Sequence, residues 1–144
     1  MHLPMREYLP PVLIVDDDQN DVDLLRGALT RAGVRNGLLA FTNSAEALEF
    51  LRSLSGSPEG PFLWPCAMFL DLNMPNVHGF VFLKWVRSES VFDDVKVVVL
   101  SGSEKPDDRD RALKLGADQY LVKFPPPEAF AEVVACLTQR TAQR

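Results

Sequence analysis

Ala67-Met68-Phe69-Leu70-Asp71-Leu72-Asn73-Met74-Pro75 places four uncharged residues ahead of one carboxylate and then a turn. Such a run reads as a strand buried on both faces, with Asp71 emerging at its carboxyl end. Pro75 and Gly79 break the backbone beyond it. In an open parallel sheet ligands collect past the carboxyl ends of the strands, so an isolated acid there stands where chemistry is usually done. Taken alone, Asp71 reads more simply as a turn-initiating residue that caps the next loop. The rest of the chain decides between these readings.

Val12-Leu13-Ile14-Val15 is a second continuous aliphatic run, and it stops at Asp16-Asp17-Asp18-Gln19-Asn20. A nucleotide-binding or flavin-binding turn carries Gly, Ser or Thr here, so that backbone N–H groups can cradle a phosphate. Three carboxylates repel phosphate and attract a metal. Val22, Leu25, Ala28 and Leu29 then recur at helical spacing over 21–32, with Asp18 or Asn20 able to cap and Gly33 able to stop the helix. Leu38 to Phe41 reads as a short strand. Ser44 is the expected cap of a second helix, whose buried face holds Ala47, Phe50, Leu51 and Leu54. Residues 53–65 hold prolines and glycines among small residues and read as a surface excursion.

Beyond Asp71 the pattern repeats. Residues 80–87 read as a helix with Phe80, Leu83 and Val86 inward, and with Trp85 as packing or contact surface. Residues 95–100 are the most strand-like run in the chain and end at Ser101-Gly102-Ser103. Residues 106–115 form a helix rich in charge and poor in apolar side chains, so its packing is thin and it shifts readily. Gln119 to Val122 make a fifth strand ending at Lys123, and Phe130, Val133, Val134 and Leu137 mark a last helix. Strand and helix signals that alternate in this way imply a parallel sheet covered on both sides with right-handed crossovers. Asp16, Asp17, Asp71, Ser101 and Lys123 all fall at carboxyl ends of strands and should converge on one rim.

Composition narrows the partners. A chain of 144 residues with 47% hydrophobic content suits one domain with a real core. The formal charge of −5 argues against nucleic acid, because gripping phosphate backbones needs clustered Lys and Arg. No uncharged run approaches the ~18 residues that span a bilayer, and residues 1–7 lack an apolar signal core, so no membrane partner and a cytoplasmic location are expected. Residues 1–10 read as a loose leader. Cys66 and Cys136, far apart, are expected to be reduced and buried. His2 and His78 do not form a ligand pair and read as loop residues, His78 lying near enough to the rim to touch a docked partner.

Crowded carboxylates raise one another's pKa unless a cation sits among them, and all-oxygen ligation suits Mg²⁺. An Asp carboxylate can attack phosphorus to give an aspartyl phosphate while Mg²⁺ and an ammonium neutralise the transferred oxygens. Lys123 offers the ammonium. The new group brings about −1.5 to −2 charges and can pull a nearby hydroxyl toward itself, and Ser101 offers that hydroxyl.

At these residues the chain resembles the receiver domain of two-component response regulators, from Val12 to about Thr138. The motifs that carry the likeness are VDDD after the first strand, FLDLNMP with Gly79 after the third, VVLSGS after the fourth and YLVK after the fifth. The resemblance implies the flavodoxin-like, CheY-like doubly wound fold with strand order 2-1-3-4-5. It makes Asp71 the phosphoacceptor. It has Asp17, Asp71 and the backbone carbonyl of Asn73 bind Mg²⁺, with Asp16 acting through water. It makes Ser101 the switch hydroxyl, Lys123 the partner of the phosphate, and Tyr120 the aromatic that turns inward when Ser101 moves.

Taken singly these residues have plain readings: turn acids for Asp16 and Asp17, a turn hydroxyl for Ser101, a solvated lysine for Lys123, a half-buried sheet aromatic for Tyr120. Their joint placement favours the phosphoacceptor. One departure stands out. The family usually has proline directly after the lysine, often with a cis peptide, and here Phe124 follows Lys123. A non-prolyl cis bond costs about 2.5–4 kcal/mol, so the sequence leaves this peptide's geometry open.

The resulting expectation is a receiver domain over 11–141 with no output domain: a phosphorylation switch rather than an enzyme, taking a phosphoryl group from a sensor histidine kinase. The 53–65 excursion resembles receivers paired with phytochrome-type kinases. Output would pass to a downstream protein, or to a homodimer, through the 106–115 helix, the fifth strand and the last helix. Two rivals are a receiver-fold module that no longer takes phosphate and an aspartate-nucleophile phosphatase. The second would want an acid two residues after Asp71, where Asn73 stands.

Overall fold

A computed structural model of the chain describes residues 9–56 and 64–142. Five strands, β1 (Val12–Val15), β2 (Leu38–Phe41), β3 (Ala67–Leu70), β4 (Lys96–Ser101) and β5 (Gln119–Val122), form one sheet. Their order is β2-β1-β3-β4-β5 and every pairing is parallel. Five helices connect them: α1 (Gln19–Arg31), α2 (Ser44–Ser55), α3 (Gly79–Ser88), α4 (Pro106–Lys114) and α5 (Ala131–Ala142). This is the expected doubly wound arrangement.

The two-residue period of the strands sorts the core into two halves. Leu13, Val15, Met68, Leu70, Val97 and Val99 face one side, where α2 and α3 bring Leu51, Leu54, Phe82 and Leu83. Val12, Ile14, Ala67, Phe69, Val98 and Leu100 face the other and meet Val22, Leu25 and Leu29 of α1 and Val133 and Leu137 of α5. Both faces of the three central strands are buried, which explains why those strands read as unbroken apolar runs. In α4 only Ala112 is buried, as the thin apolar content of that segment implies.

Several boundaries differ from expectation. Asn43, not Ser44, caps α2, its side chain accepting from Ala45 and Glu46 N–H at 2.9 and 3.2 Å. Ser44 is buried instead, and its hydroxyl accepts from Val77 N–H at 2.7 Å, tying α2 to the loop after Asp71. His78 is no plain loop residue: it caps α3, with Nδ1 accepting from Phe80 N–H at 3.1 Å. Phe130 ends a 3₁₀ turn (Pro127–Phe130) ahead of α5, though it stays buried against Phe69. A second 3₁₀ turn, Ser90–Phe92, seats Phe92 in the core, where Trp85 packs on it at 6.0 Å. Trp85 is therefore packing.

Pro10 anchors the chain ahead of β1. Pro10 is buried, and its carbonyl accepts from Asn36 Nδ2 at 2.7 Å and from the buried Cys66 thiol at 3.6 Å. Residues 1–8 and 57–63, which hold most of the leader and of the excursion, lie outside the described residues, as does the side chain of Cys136.

The turn after β3 fixes Asp71. Gly79 N–H and Met74 N–H both donate to the Leu72 carbonyl, at 2.7 and 3.0 Å. A Cβ on Gly79 would collide with the Asp71 carbonyl and stand 2.6 Å from Leu72 Cα, both backbone atoms that cannot swing away. Gly79→Ala is therefore expected to cost about 2–3 kcal/mol in urea unfolding. Val81→Ala, two residues on at a site 60% exposed, should stay within about 0.5 kcal/mol. Equal effects for the two would refute the close approach.

Candidate phosphoacceptor site

Each rim residue is delivered by the end of a strand. Asp16 follows β1 and is buried, with its N–H on the Phe41 carbonyl at 3.1 Å. Asp71 follows β3, 7% exposed, its N–H on the Val15 carbonyl at 3.0 Å. Lys123 follows β5, with its N–H on the Ser101 carbonyl at 2.8 Å. Parallel pairing of adjacent strands thus carries residues distant in sequence to one edge.

The side chains meet there. Ligand oxygens of Asp16, Asp17 and Asp71 all lie within 4.8 Å of one another, Asp17 exposed and the other two buried. Lys123 Nζ lies 2.7 Å from Asp16 Oδ2, 2.8 Å from Asp21 Oδ2 and 3.5 Å from Asp71 Oδ1. Asp16 Oδ1 also accepts from Asp18 N–H at 3.0 Å, and Asp18 in turn caps α1. Asn73 is exposed beside an open pocket of about 470 Å³ that it lines with Ser103 and Lys105.

Burial and charge pull on these groups in opposite directions. Desolvation pushes the Asp71 carboxyl up to about 6 despite the attraction of Lys123, with Asp16 and Asp17 adding repulsion. Burial also raises Asp16, against its hydrogen bond from Lys123. Burial opposes the Lys123 charge, but the bonds to Asp16 and Asp21 and the field of Asp71 outweigh it, so the ammonium is held above the ordinary lysine range. Two buried acids prone to neutralise beside a permanent cation make a pocket short of positive charge. Three clustered carboxylates supply the hard oxygen donors that Mg²⁺ takes.

Ser101, fully buried, accepts from Ser103 N–H at 3.2 Å. The Tyr120 hydroxyl donates to the Ser103 carbonyl at 2.8 Å, and its half-buried ring packs on the core. The structure thus links Ser101, Ser103 and Tyr120 in one chain of hydrogen bonds. The Lys123–Phe124 peptide is cis, and Phe124 is 50% exposed. Asp21 was missed in the sequence, where it reads only as an acid in the first turn of a helix.

Fold and pocket together define a doubly wound α/β domain with an acidic, lysine-bearing rim at the carboxyl ends of its strands. The family model for the response regulator receiver domain matches residues 12–135, and the chain belongs to that family. It is 32% identical to the transcriptional regulatory protein GltR of Pseudomonas aeruginosa over 127 residues, covering 88% of this chain and 48% of that protein. It is 36% identical to the transcriptional regulatory protein PrrA of Mycobacterium tuberculosis over 126 residues, covering 88% and 47%. The chain spans about half the length of these curated relatives. Among solved structures, the bacteriophytochrome response regulator RtBRR matches with TM-score 0.74 and 32% identity, over 90% of this chain and 78% of that one. The phosphorylated cyanobacterial phytochrome response regulator RcpA shares the fold, with TM-score 0.71 and 24% identity over 92% and 94%.

Receiver domains are signalling proteins that work opposite sensor histidine kinases and bind Mg²⁺ at an acidic pocket. Among the described residues no helix is long and apolar enough to cross a membrane.

Proposed function

We propose that this domain is a phosphorylation switch in which Asp71 accepts a phosphoryl group from a sensor histidine kinase. The observation that carries the reading is the convergence of Asp16, Asp17, Asp71 and Lys123 at one strand-end pocket. Asp17, Asp71 and the Asn73 carbonyl would hold Mg²⁺, with Asp16 acting through water. A bound Mg²⁺ supplies positive charge for the transferred oxygens. An Asp71 carboxylate oxygen attacks phosphorus, and the bond from phosphorus to the kinase histidine breaks. Lys123 then has a dianionic partner to neutralise.

Signalling would follow from the serine and the tyrosine. A phosphoryl group on Asp71 draws the Ser101 hydroxyl toward it and away from Ser103 N–H. The loop that this frees is the one held by the Tyr120 hydroxyl, so the shift reaches β5 and the loosely packed α4. The 106–115 helix, β5 and α5 are the face we assign to a downstream protein or a second copy. The likeness to a bacteriophytochrome response regulator at 32% identity supports a phytochrome-type kinase as the donor. We assign the work of the receiver to residues 11–141.

Incubation with acetyl phosphate and Mg²⁺, read by intact mass, tests this. The expected result is a single phosphoryl adduct that is absent with EDTA and absent in Asp71→Asn. An adduct that survives that substitution would place the acceptor elsewhere, and no adduct at all would favour a receiver fold that no longer takes phosphate.

A further inference from the structure

The ion pair between Lys123 and Asp21 belongs to none of the roles assigned above. Asp21 stands in the first turn of α1, its Oδ2 2.8 Å from the Lys123 ammonium, and the two side chains are 23% and 11% exposed. An ammonium has three N–H donors. Here the two short contacts go to Asp16 and Asp21, while Asp71 Oδ1 lies at 3.5 Å, beyond the 2.7–2.9 Å of a charge-assisted bond. The lysine is thus drawn toward β1 and α1, off the proposed acceptor.

Asp16 and Asp21 differ in what would release them. Asp16 shares the three-carboxylate cluster with Asp17 and Asp71, and a cation entering that cluster competes with the lysine for it. Asp21 stands outside the cluster, so its hold on Lys123 persists when the cluster is loaded. A phosphoryl group on Asp71 must win the ammonium from Asp21.

Resting on the phosphoacceptor reading, we propose that Asp21 is a positioning residue that restrains Lys123 in the resting protein and thereby slows phosphoryl uptake by Asp71. In uptake from acetyl phosphate, an Asp71 oxygen bonds to phosphorus as the phosphorus–oxygen bond to the acetyl group breaks. Acetate leaves as the carboxylate, so one carboxylate is consumed and one released. The developing charge on the transferred group calls for the lysine while Asp21 still holds it.

The test compares Asp21→Asn with Asp23→Asn. Asp23 lies on the same helix, pairs with Gln19 Nε2 at 2.9 Å, and removes the same formal charge without touching the lysine. With Mg²⁺ present, Asp21→Asn is expected to raise both the acetyl phosphate labelling rate and the affinity for beryllofluoride by roughly three- to tenfold. Asp23→Asn should stay within about twofold, the effect of the general field. Thermal melts of both variants establish that they fold. Equal effects of the two substitutions, or slower labelling of Asp21→Asn, would overturn the restraint while leaving Asp71 as acceptor. Wild-type protein that takes up no phosphoryl group would instead overturn the phosphoacceptor reading itself.

Discussion

Asp71→Asn is expected to abolish phosphoryl uptake and, in the same molecule, to stabilise the metal-free protein by on the order of 2–3 kcal/mol at about pH 8. The first effect follows from loss of the oxygen proposed to attack phosphorus. The second follows from the environment of the carboxyl group, which burial pushes from an ordinary value of 3.8 up to about 6. Between those values the folded protein binds more protons at Asp71 than the unfolded chain does. Stability contributed at this site therefore falls as pH rises through the window, and above about 6 the full penalty of a buried carboxylate is present. Asparagine does not titrate, so the variant's advantage should vanish near pH 4, grow between about 4 and 6, and then level off. Urea titrations in EDTA at several pH values measure it. Saturating Mg²⁺ should shrink the gap, because the ion stabilises the ionised wild-type acid and finds a poorer site in the variant. A variant less stable than wild type at about pH 8 without metal would mean that Asp71 is not held in a state short of positive charge.

That penalty explains why so much of the site was legible in the sequence. A buried strand ending in a bare acid is costly unless something offsets it, so the pattern is rare outside functional rims. β1, β3 and β4 announce themselves because sheet burial on both faces demands unbroken apolar runs, and β1 and β3 stop directly before the pocket acids Asp16 and Asp71. The α1 cap was readable to within two residues, as Asp18 or Asn20, and Asp18 takes the role, since local hydrogen bonds depend only on neighbours in sequence.

What escaped was decided by contacts remote in sequence or by competition between adjacent residues. Asp21 became a pocket residue only because Lys123, 102 positions later, is delivered beside α1. Ser44 and Asn43 are both good caps. Asn43 took the role, and a loop amide 33 positions on claimed the Ser44 hydroxyl. His78 follows the same logic, since nothing nearby marks an imidazole as the acceptor that starts α3. The cis peptide at Lys123–Phe124 carries no proline to betray it. The resemblance to receiver domains supplied the strand order, which periodicity alone leaves open.

Lys123 is the counterweight to all of these acids, and removing its charge alone should show how much it carries. Lys123→Met keeps the apolar stem and deletes the ammonium that pairs with Asp16 and Asp21 and faces Asp71. Breaking a buried pair by removing one partner typically costs 3–5 kcal/mol, because the remaining charge is left uncompensated, and a loss of about that size is expected at about pH 8 in EDTA. The pH dependence has a definite sign. The lysine pKa is raised in the folded protein, so its contribution is fully present below about 10.4, the ordinary lysine value, and is lost only as pH rises through the higher folded value. In the variant the stranded acids, already raised by burial, can escape by taking up protons. Loss of the ammonium lifts Asp71 above its wild-type value, so the deficit should be largest near pH 8 and shrink as pH falls toward about 6. Mg²⁺ should restore part of the stability, since a divalent cation among Asp16, Asp17 and Asp71 replaces the missing positive charge. Labelling by acetyl phosphate should fall by roughly ten- to a hundredfold even where stability is restored, because the metal cannot also take the place of the ammonium beside the transferred oxygens. A deficit that did not change with pH would trace the loss to packing of the stem rather than to charge, and would remove Lys123 from the electrostatics of the pocket.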